Sequence, residues 1–342
     1  MAIERVFTQP LPDEDRFLTS LRPQRLDECI GQGIVREQLR IAVDAATKRG
    51  EPVDHVLLDG PPGLGKTTLA NIIAVEMGRT IRMTSGPAIV RQGDLMMLLT
   101  QLDTGDVLFI DEIHRLAKVV EEFLYPALED FRVDYTTESG VGGRTVNFAL
   151  KRFTLIGATT RAGMLSAALR DRFGLHCHLQ YYSTDELTQI VRRSARLLQV
   201  RAADDALRRL AERSRGTPRI VNRLLRRVRD YADVRGDGTL TVQTVDAALD
   251  ILQIDQLGLD NLDRGYLLAL MKHYDGGPAG IEAIAATMGH ERDTLEDVVE
   301  PYLLQIGFVI RTPRGRVARP AAYEHLKIAP SRRLGDEATL FT

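Results

Sequence analysis

The chain has 342 residues, 44% of them hydrophobic and 27% charged, with a formal net charge of −2; that is too long for one ordinary core, so two or three domains are expected. A near-zero charge excludes a generally basic surface, and any nucleic-acid contact has to be a local patch. No uninterrupted apolar run approaches the roughly 20 residues that span a bilayer, the opening "MAIERVFTQPLPDEDRF" lacks a signal-peptide core, and two cysteines, Cys29 and Cys177, make no disulfide framework; a cytoplasmic protein with no membrane contact is expected.

From about residue 53 to 180, short apolar runs alternate with helical patterns. "HVLLDG", "TIRM", "DVLFID" and "FTLIGAT" are β-rich, whereas "KTTLANIIAVEMG" and "VVEEFLYPALEDF" repeat apolar residues at the helical period. Such alternation predicts an α/β domain built on a mostly parallel sheet. Between Phe131 and Phe153, "RVDYTTESGVGGRTVNFALKR" has two alternating stretches around a Gly-rich turn, which reads as an inserted β-hairpin near 132–150. It is either decoration or a partner-binding arm. Residues 184–254 carry only helical patterns, opened at caps such as "STDEL" and "TPRIVNRLL". After the junction "IDQLGLDNLDR", helical segments near 262–274, 278–288 and 292–305 lead into "GFVIRTPRGRVAR". Three short helices and a terminal hairpin describe a winged helix. The expected architecture is thus a P-loop parallel-sheet domain (1–183), a small all-α lid domain (184–256), a winged-helix DNA-binding domain (257–335) and a tail (336–342).

"GPPGLGKTT" fits G-x-x-x-x-G-K-[ST] from Gly60 to Thr67, after a strand and at the start of a helix, the context that makes the motif a P-loop. Its glycines let backbone N–H groups wrap phosphates, and the helix N-terminus adds positive potential. Lys66 would reach the β- and γ-phosphates of ATP, and the Thr67 hydroxyl would ligate Mg²⁺. "VLFIDEIH" ends a strand in Asp111 and Glu112. Asp111 would hold Mg²⁺ through water, and Glu112 would orient or deprotonate the attacking water. His114 reads as structural. "LIGATTR" ends a further strand in Thr159 and Thr160, of which Thr160 is favoured as the γ-phosphate sensor. "LRDRFG" supplies Arg170 and Arg172, and arginine stabilises charge on a transferring phosphoryl group. In "RGTPRIVNR", Thr217 reads as an N-cap and Pro218 as the first helical residue. Arg219 then opposes the helix dipole, a placement that an anion would offset.

The third C-terminal helix is acidic, with Asp293, Glu296, Asp297 and Glu300, and makes a poor base reader. The hairpin after it carries Arg311, Arg314, Arg316 and Arg319 around the turn Thr312-Pro313-Arg314-Gly315. Arginines on a hairpin can straddle duplex phosphates without reading sequence. Arg311 and Arg316 are favoured for that role, with Arg314 beside them. "HCH" at 176–178 invites a metal reading, but successive strand residues point to opposite faces and the three cannot converge on one ion.

"GPPGLGKTT", "FIDEIH", "IGATTR", "LRDRFG" and "GTPR" together resemble Walker A, Walker B, sensor 1, arginine finger and sensor 2 of an AAA+ ATPase. Over residues 18 to about 328, with "RGTPRIVNRLLRRVRD" and "PYLLQIGFVIRTPRGR" as the most specific segments, the chain is similar to the RuvB-type bacterial Holliday-junction motors. That resemblance implies a homohexameric ring around duplex DNA that hydrolyses ATP to drive branch migration, with RuvA docked on the 132–150 hairpin and RuvC as an optional further partner. It also implies that Leu21, Arg22 and Tyr182 contact the adenine end, and that Gly63, Gly65, Lys66, Thr67 and Thr68 cradle the phosphates. Arg172 would be the finger entering the neighbouring subunit's site and Arg219 the second sensor. Glu129, Asp130 and Phe131 would lie at the subunit boundary near a neighbour's nucleotide. The alternative is a DNA-bound ATP switch of the initiator or loader kind, against which the acidic third helix argues.

Overall fold

The computed structural model describes residues 4–5, 13–136 and 145–329. The expected hairpin tip at 137–144 and the tail at 336–342 lie outside the described residues. The chain divides into two compact units, residues 1–186 and 187–342.

The first unit runs β1 (Glu4–Arg5), α1 (Asp13–Ser20), α2 (Gly33–Arg49), β2 (Val56–Asp59), α3 (Lys66–Glu76), β3 (Ile81–Ser85), α4 (Gln92–Thr100), β4 (Val107–Asp111), α5 (Lys118–Glu129), β5 (Arg132–Thr136), β6 (Thr145–Ala149), β7 (Thr154–Thr159), α6 (Ala167–Arg170) and β8 (Leu175–His178). Six strands pair in parallel in the order β1-β3-β4-β7-β2-β8, and β5 and β6 form a separate antiparallel hairpin. Parallel neighbours need long crossovers, which is why the helical patterns fall between the strands in sequence. The central strands are buried on both faces and read as continuous apolar runs: Val107 to Ile110 and all of β7 are buried. Alternate residues serve opposite cores. Val56 and Leu58 pack with α2 and α3, while Leu57 packs with the buried faces of α4 and α5. The C-terminal ends of these strands therefore share one sheet edge, the place where open α/β sheets hold ligands.

The second unit takes in nearly all of α7 (Thr184–Leu197), then β9 (Arg201–Ala202), α8 (Asp204–Glu212), α9 (Pro218–Arg235), β10 (Thr239–Leu240) and α10 (Val242–Ile251). The segments leading into α8 and α10 pair as the short parallel ladder β9–β10. Helical periodicity alone gave no sign of that ladder, because two-residue strands leave no repeat to read. The chain continues with α11 (Asn261–His273), α12 (Ile281–Met288), α13 (Arg292–Thr294), a π-helical turn (Leu295–Val299), α14 (Glu300–Gln305), β11 (Val309–Thr312), β12 (Gly315–Ala318) and α15 (Pro320–Leu326). The π turn sits where Pro301 enters the helix; proline has no N–H and its ring would strike the carbonyl of Asp297 four residues back. Strands β11 and β12 make a two-residue-turn hairpin with Arg311 opposite Arg316. Gly315 has φ 139°, and a Cβ there would stand 2.4 Å from the Ala279 carbonyl oxygen, so the turn and the approach of Ala279 both require glycine. Ala279 and Arg316 exchange backbone hydrogen bonds of 3.0 and 2.8 Å, which adds a third backbone segment to the wing. The observed architecture is an α/β P-loop domain, a mainly helical lid and a winged helix.

Candidate functional site

The P-loop leaves β2 at Gly60, whose φ is 138°; a Cβ there would meet the Leu179 carbonyl oxygen at 2.5 Å, so only glycine lets β8's exit pass so close. Lys66 opens α3 with its side chain buried, and Nζ donates to the carbonyls of Gly60 (2.7 Å) and Pro61 (2.9 Å). Burial pushes its pKa down to about 8, with Asp111, Asp59 and Glu112 pulling the other way. The ammonium is thus held in the loop it would offer to phosphates, by carbonyls that a stronger anion can replace.

Asp111 ends β4 and Glu112 follows it in left-handed backbone, φ 48°. The kink separates the two acids by environment. Burial raises the Asp111 carboxyl above the usual range, although the Glu112 N–H donates to Oδ1 at 2.9 Å and Lys66 pulls the other way. Glu112 stays partly exposed and takes a hydrogen bond from Arg115 at 3.0 Å. At the end of β7, Thr159 is buried; its hydroxyl accepts the Arg161 N–H at 3.0 Å and shares a 2.9 Å hydrogen bond with His114 Nδ1. His114, read as structural from sequence, therefore links the acid turn to the end of β7. Thr160, the favoured sensor, is the next residue and is half-buried.

Gly157, in the middle of β7, explains how these turns crowd together. A Cβ on it would stand 3.0 Å from both Ile113 and Phe173. Arg172, just before Phe173, pairs with Glu129 at 3.0 Å, donates to the Ala168 carbonyl and lies 4.2 Å from the centre of the Tyr125 ring. The finger candidate and the first residue of the 129–131 run are thus one cluster, not two separate features. Arg170 instead reaches back from α6 to the turn before it, donating to the Leu165 and Ala162 carbonyls. Phe131 has φ 50° and starts the hairpin, its carbonyl accepting the Leu150 N–H at 2.7 Å.

Tyr182 packs its ring over Gly31 and donates to the Leu64 carbonyl at 3.3 Å; burial pushes its phenol up to about 12. It thus reaches the P-loop from the chain that follows β8. Leu21 is buried and Arg22 half-buried in the turn after α1. Thr67 and Thr68 are half-buried in the first turn of α3. In "HCH", Cys177 is buried between two exposed histidines, as strand alternation requires, and His178 Nδ1 lies 2.6 Å from Asp59 Oδ2.

One residue escaped the sequence reading. His55, just before β2, is buried against Phe131 and Phe153; its Nδ1 accepts the Leu155 N–H at 2.9 Å and Nε2 pairs with the Leu128 carbonyl at 3.2 Å. Burial lowers its pKa, so the neutral ring joins the P-loop strand to the root of the hairpin. A lone histidine in an apolar stretch carries no pattern that reveals such a bridge.

In the second unit, Thr217 caps α9 by accepting the Ile220 N–H, Pro218 is the first helical residue and Arg219 stands in the first turn. On the wing, Arg311 and Arg316, favoured from sequence as phosphate contacts, both turn onto the acidic third helix. Arg311 donates through two nitrogens to Glu300 Oε2, and Arg316 donates to Glu300 Oε1 and Glu296 Oε1, each at 2.8 Å. Glu300 is 0% exposed and also accepts the Tyr266 hydroxyl at 2.7 Å. The physical reason is register: directly opposite arginines on one hairpin repel unless an acid lies between them. Arg311 keeps half its side chain exposed, Arg316 only 15%. Arg314, at the turn, is exposed. Arg314→Ala is therefore expected to weaken duplex binding several-fold and to lower the salt-dependence slope by about one, with basal ATPase unchanged. Arg316→Ala instead removes one of the two guanidiniums that answer buried Glu300, with Arg311 left to hold it, and is expected to cost about 1.5–3 kcal/mol of winged-helix stability, read by denaturant unfolding.

Residues 21–179 match the family model for the Holliday junction DNA helicase RuvB P-loop domain, 182–255 that for the RuvB AAA lid domain, and 256–327 that for the RuvB C-terminal winged helix domain. The Holliday junction branch migration complex subunit RuvB of Kosmotoga olearia is 56% identical over 326 residues, 95% of each chain. The solved structure of the Thermotoga maritima RuvB Holliday junction branch migration motor matches at TM-score 0.84 and 51% identity, over 91% of this chain and 99% of that one. A substituted form of the same protein matches at 0.85 and 51%, over 90% and 99%. With a formed P-loop, paired acids at the sheet edge, a lid and a winged helix in the same order as in these relatives, the chain belongs to the RuvB family of Holliday-junction branch-migration ATPases.

Proposed function

We propose that this ATPase is the DNA motor of a RuvAB-type complex: a homohexameric ring around duplex DNA that hydrolyses ATP to move a Holliday junction, in the cytoplasm. The buried Lys66 in the Gly60–Pro61 carbonyl cradle, with Asp111 and Glu112 at the same sheet edge, is the observation that carries the reading. ATP is the substrate with Mg²⁺ as its counter-ion, and the donor set suits a hard cation: a hydroxyl at Thr67 and a carboxylate at Asp111. Lys66 and the P-loop N–H groups of Gly63, Gly65, Thr67 and Thr68 bind the phosphates, while Tyr182, Leu21 and Arg22 bound the adenine end. Glu112, the exposed acid, orients the attacking water and takes its proton. Thr160 and Arg219 sense the γ-phosphate. Arg172 exchanges Glu129 for the neighbouring subunit's γ-phosphate, which makes Glu129, Asp130 and Phe131 part of the subunit boundary. The hairpin rooted at Phe131 and His55 docks RuvA. Arg311 and Arg314 meet DNA phosphates, with Arg316 bracing Arg311 through Glu300.

A synthetic four-way junction tests the whole reading. With RuvA and ATP, the protein is expected to dissociate the junction into two duplexes, and not to do so without ATP. Failure with active RuvA, combined with tight binding to one duplex sequence, would replace the motor with the DNA-bound ATP switch.

A further inference from the structure

Arg215 stands between α8 and α9, two residues before the Thr217 cap and four before Arg219, in left-handed backbone at φ 54°. Its guanidinium does not serve the lid. It crosses to the start of the winged helix, where Nε donates to the Gly258 carbonyl at 2.7 Å and Nη2 lies 2.6 Å from Asp263 Oδ2 and 3.1 Å from Asp260 Oδ2. Asp260 and Asp263 are the two members of the capping box that starts α11: Asp260 accepts the Asp263 N–H, and Asp263 accepts the Asp260 N–H. Arg215 is 10% exposed and Asp263 1%, and the planar fork also lies 5.5 Å from the centre of the Tyr302 ring, whose hydroxyl donates to the Leu257 carbonyl. Gly258 completes the fit, since a Cβ there would stand 2.4 Å from the Arg213 carbonyl oxygen. Around this centre, Arg264 donates to the Leu259 and Gln253 carbonyls, and His325 Nε2 lies 2.8 Å from Asp255 Oδ2.

A surface ion pair would tie little, but a buried planar fork that satisfies a backbone carbonyl and two carboxylates at once has one geometry. The turn that orients Arg219 is thereby built into the first helix of the winged helix. We infer that Arg215 is the positioning residue that couples the nucleotide site to the DNA grip, by making the α8–α9 turn and the start of α11 one rigid piece. The inference rests on the assignment of Arg219 as a nucleotide sensor. A small displacement of Arg219 on hydrolysis then moves the wing with it, and DNA load on the wing returns to Arg219 by the same route.

The full-length protein with RuvA and duplex DNA provides the test. Arg215→Gln is expected to keep basal ATPase and duplex affinity within about threefold of wild type while the stimulation of ATPase by DNA, and branch migration per ATP, fall about tenfold or more. Arg215→Lys keeps the charge without the fork and is expected to recover only part of the stimulation. Asp260→Asn keeps an equivalent helix cap and weakens the joint from the other side, so it gives the same split even if Arg215→Gln does not fold. Unchanged stimulation in folded Arg215→Gln or in Asp260→Asn overturns the inference. So does an equal loss of basal and stimulated turnover, which would place the residue in the ATPase site itself. Arg219→Ala, measured alongside, tests the sensor separately: unchanged turnover there removes the sensor assignment, whatever the Arg215 variants do.

Discussion

Glu112→Gln is expected to bind ATP as the wild type does and to hydrolyse it about 10²–10⁴-fold more slowly. Two neighbouring acids end β4, and the structure gives them different surroundings. Asp111 is buried beside Lys66 with its carboxyl pushed up, a setting that favours a bound cation or a proton as neutraliser. Glu112 is turned past the strand by its left-handed backbone and keeps solvent contact, with Arg115 as its ion-pair partner. A water-activating group needs that access, together with a side chain that can receive a proton. Glutamine preserves shape and the partner contact while removing the base. Single-turnover hydrolysis with bound duplex, alongside equilibrium ATP binding, reads both halves of the expectation. Wild-type hydrolysis by Glu112→Gln would move the base elsewhere in the site. Lys66→Ala should differ in kind, losing nucleotide binding first.

The second large effect concerns Arg172. If it serves a neighbour, Arg172→Ala should lower turnover by about 10³–10⁵-fold, and mixing should partly rescue it. Subunits of Arg172→Ala keep their own P-loop, and subunits of Lys66→Ala keep their finger. A ring holding both therefore contains boundaries where an intact Lys66 meets an intact Arg172, and activity should pass through a maximum as the mixing ratio varies. Two inactive proteins giving an active mixture has no explanation within one subunit. Absence of recovery at every ratio, with mixed rings confirmed by native mass spectrometry, would sink the assignment. Glu129→Gln adds a finer reading: by releasing Arg172 from its 3.0 Å partner it should leave the finger more available, not less.

The nucleotide site was legible because each part is a local word. "GPPGLGKTT" places loop, lysine and helix within one continuous segment, and "FIDE" places its acids by ending a strand; neither needs a distant partner to be recognised. The strands and helices between Val56 and His178 were legible for the same reason, since buried parallel strands read as apolar runs. What failed to show were pairings between distant segments. Glu300 and Arg316 are separated by a helix end and a hairpin turn, so the acids looked like an argument about base reading and the arginines like a free patch. His55 meets Leu128 and Leu155 only after the sheet is assembled. Arg215 and Asp263 sit in what sequence divides into two domains. Periodicity reports which face of an element is apolar, but not which charge on one element is answered by another.

Gly157 has a consequence for how the ring would keep time. The residue before Ile113 is Glu112, proposed as the water-activating acid of the subunit's own site, and the residue before Phe173 is Arg172, proposed as the finger lent to the next one. Side chains from both turns close on that one strand position, where a Cβ would already be tight at 3.0 Å. On those proposed roles, a subunit's own site and the arm it lends to its neighbour share one packing point, so a larger residue at 157 is expected to disturb both at once.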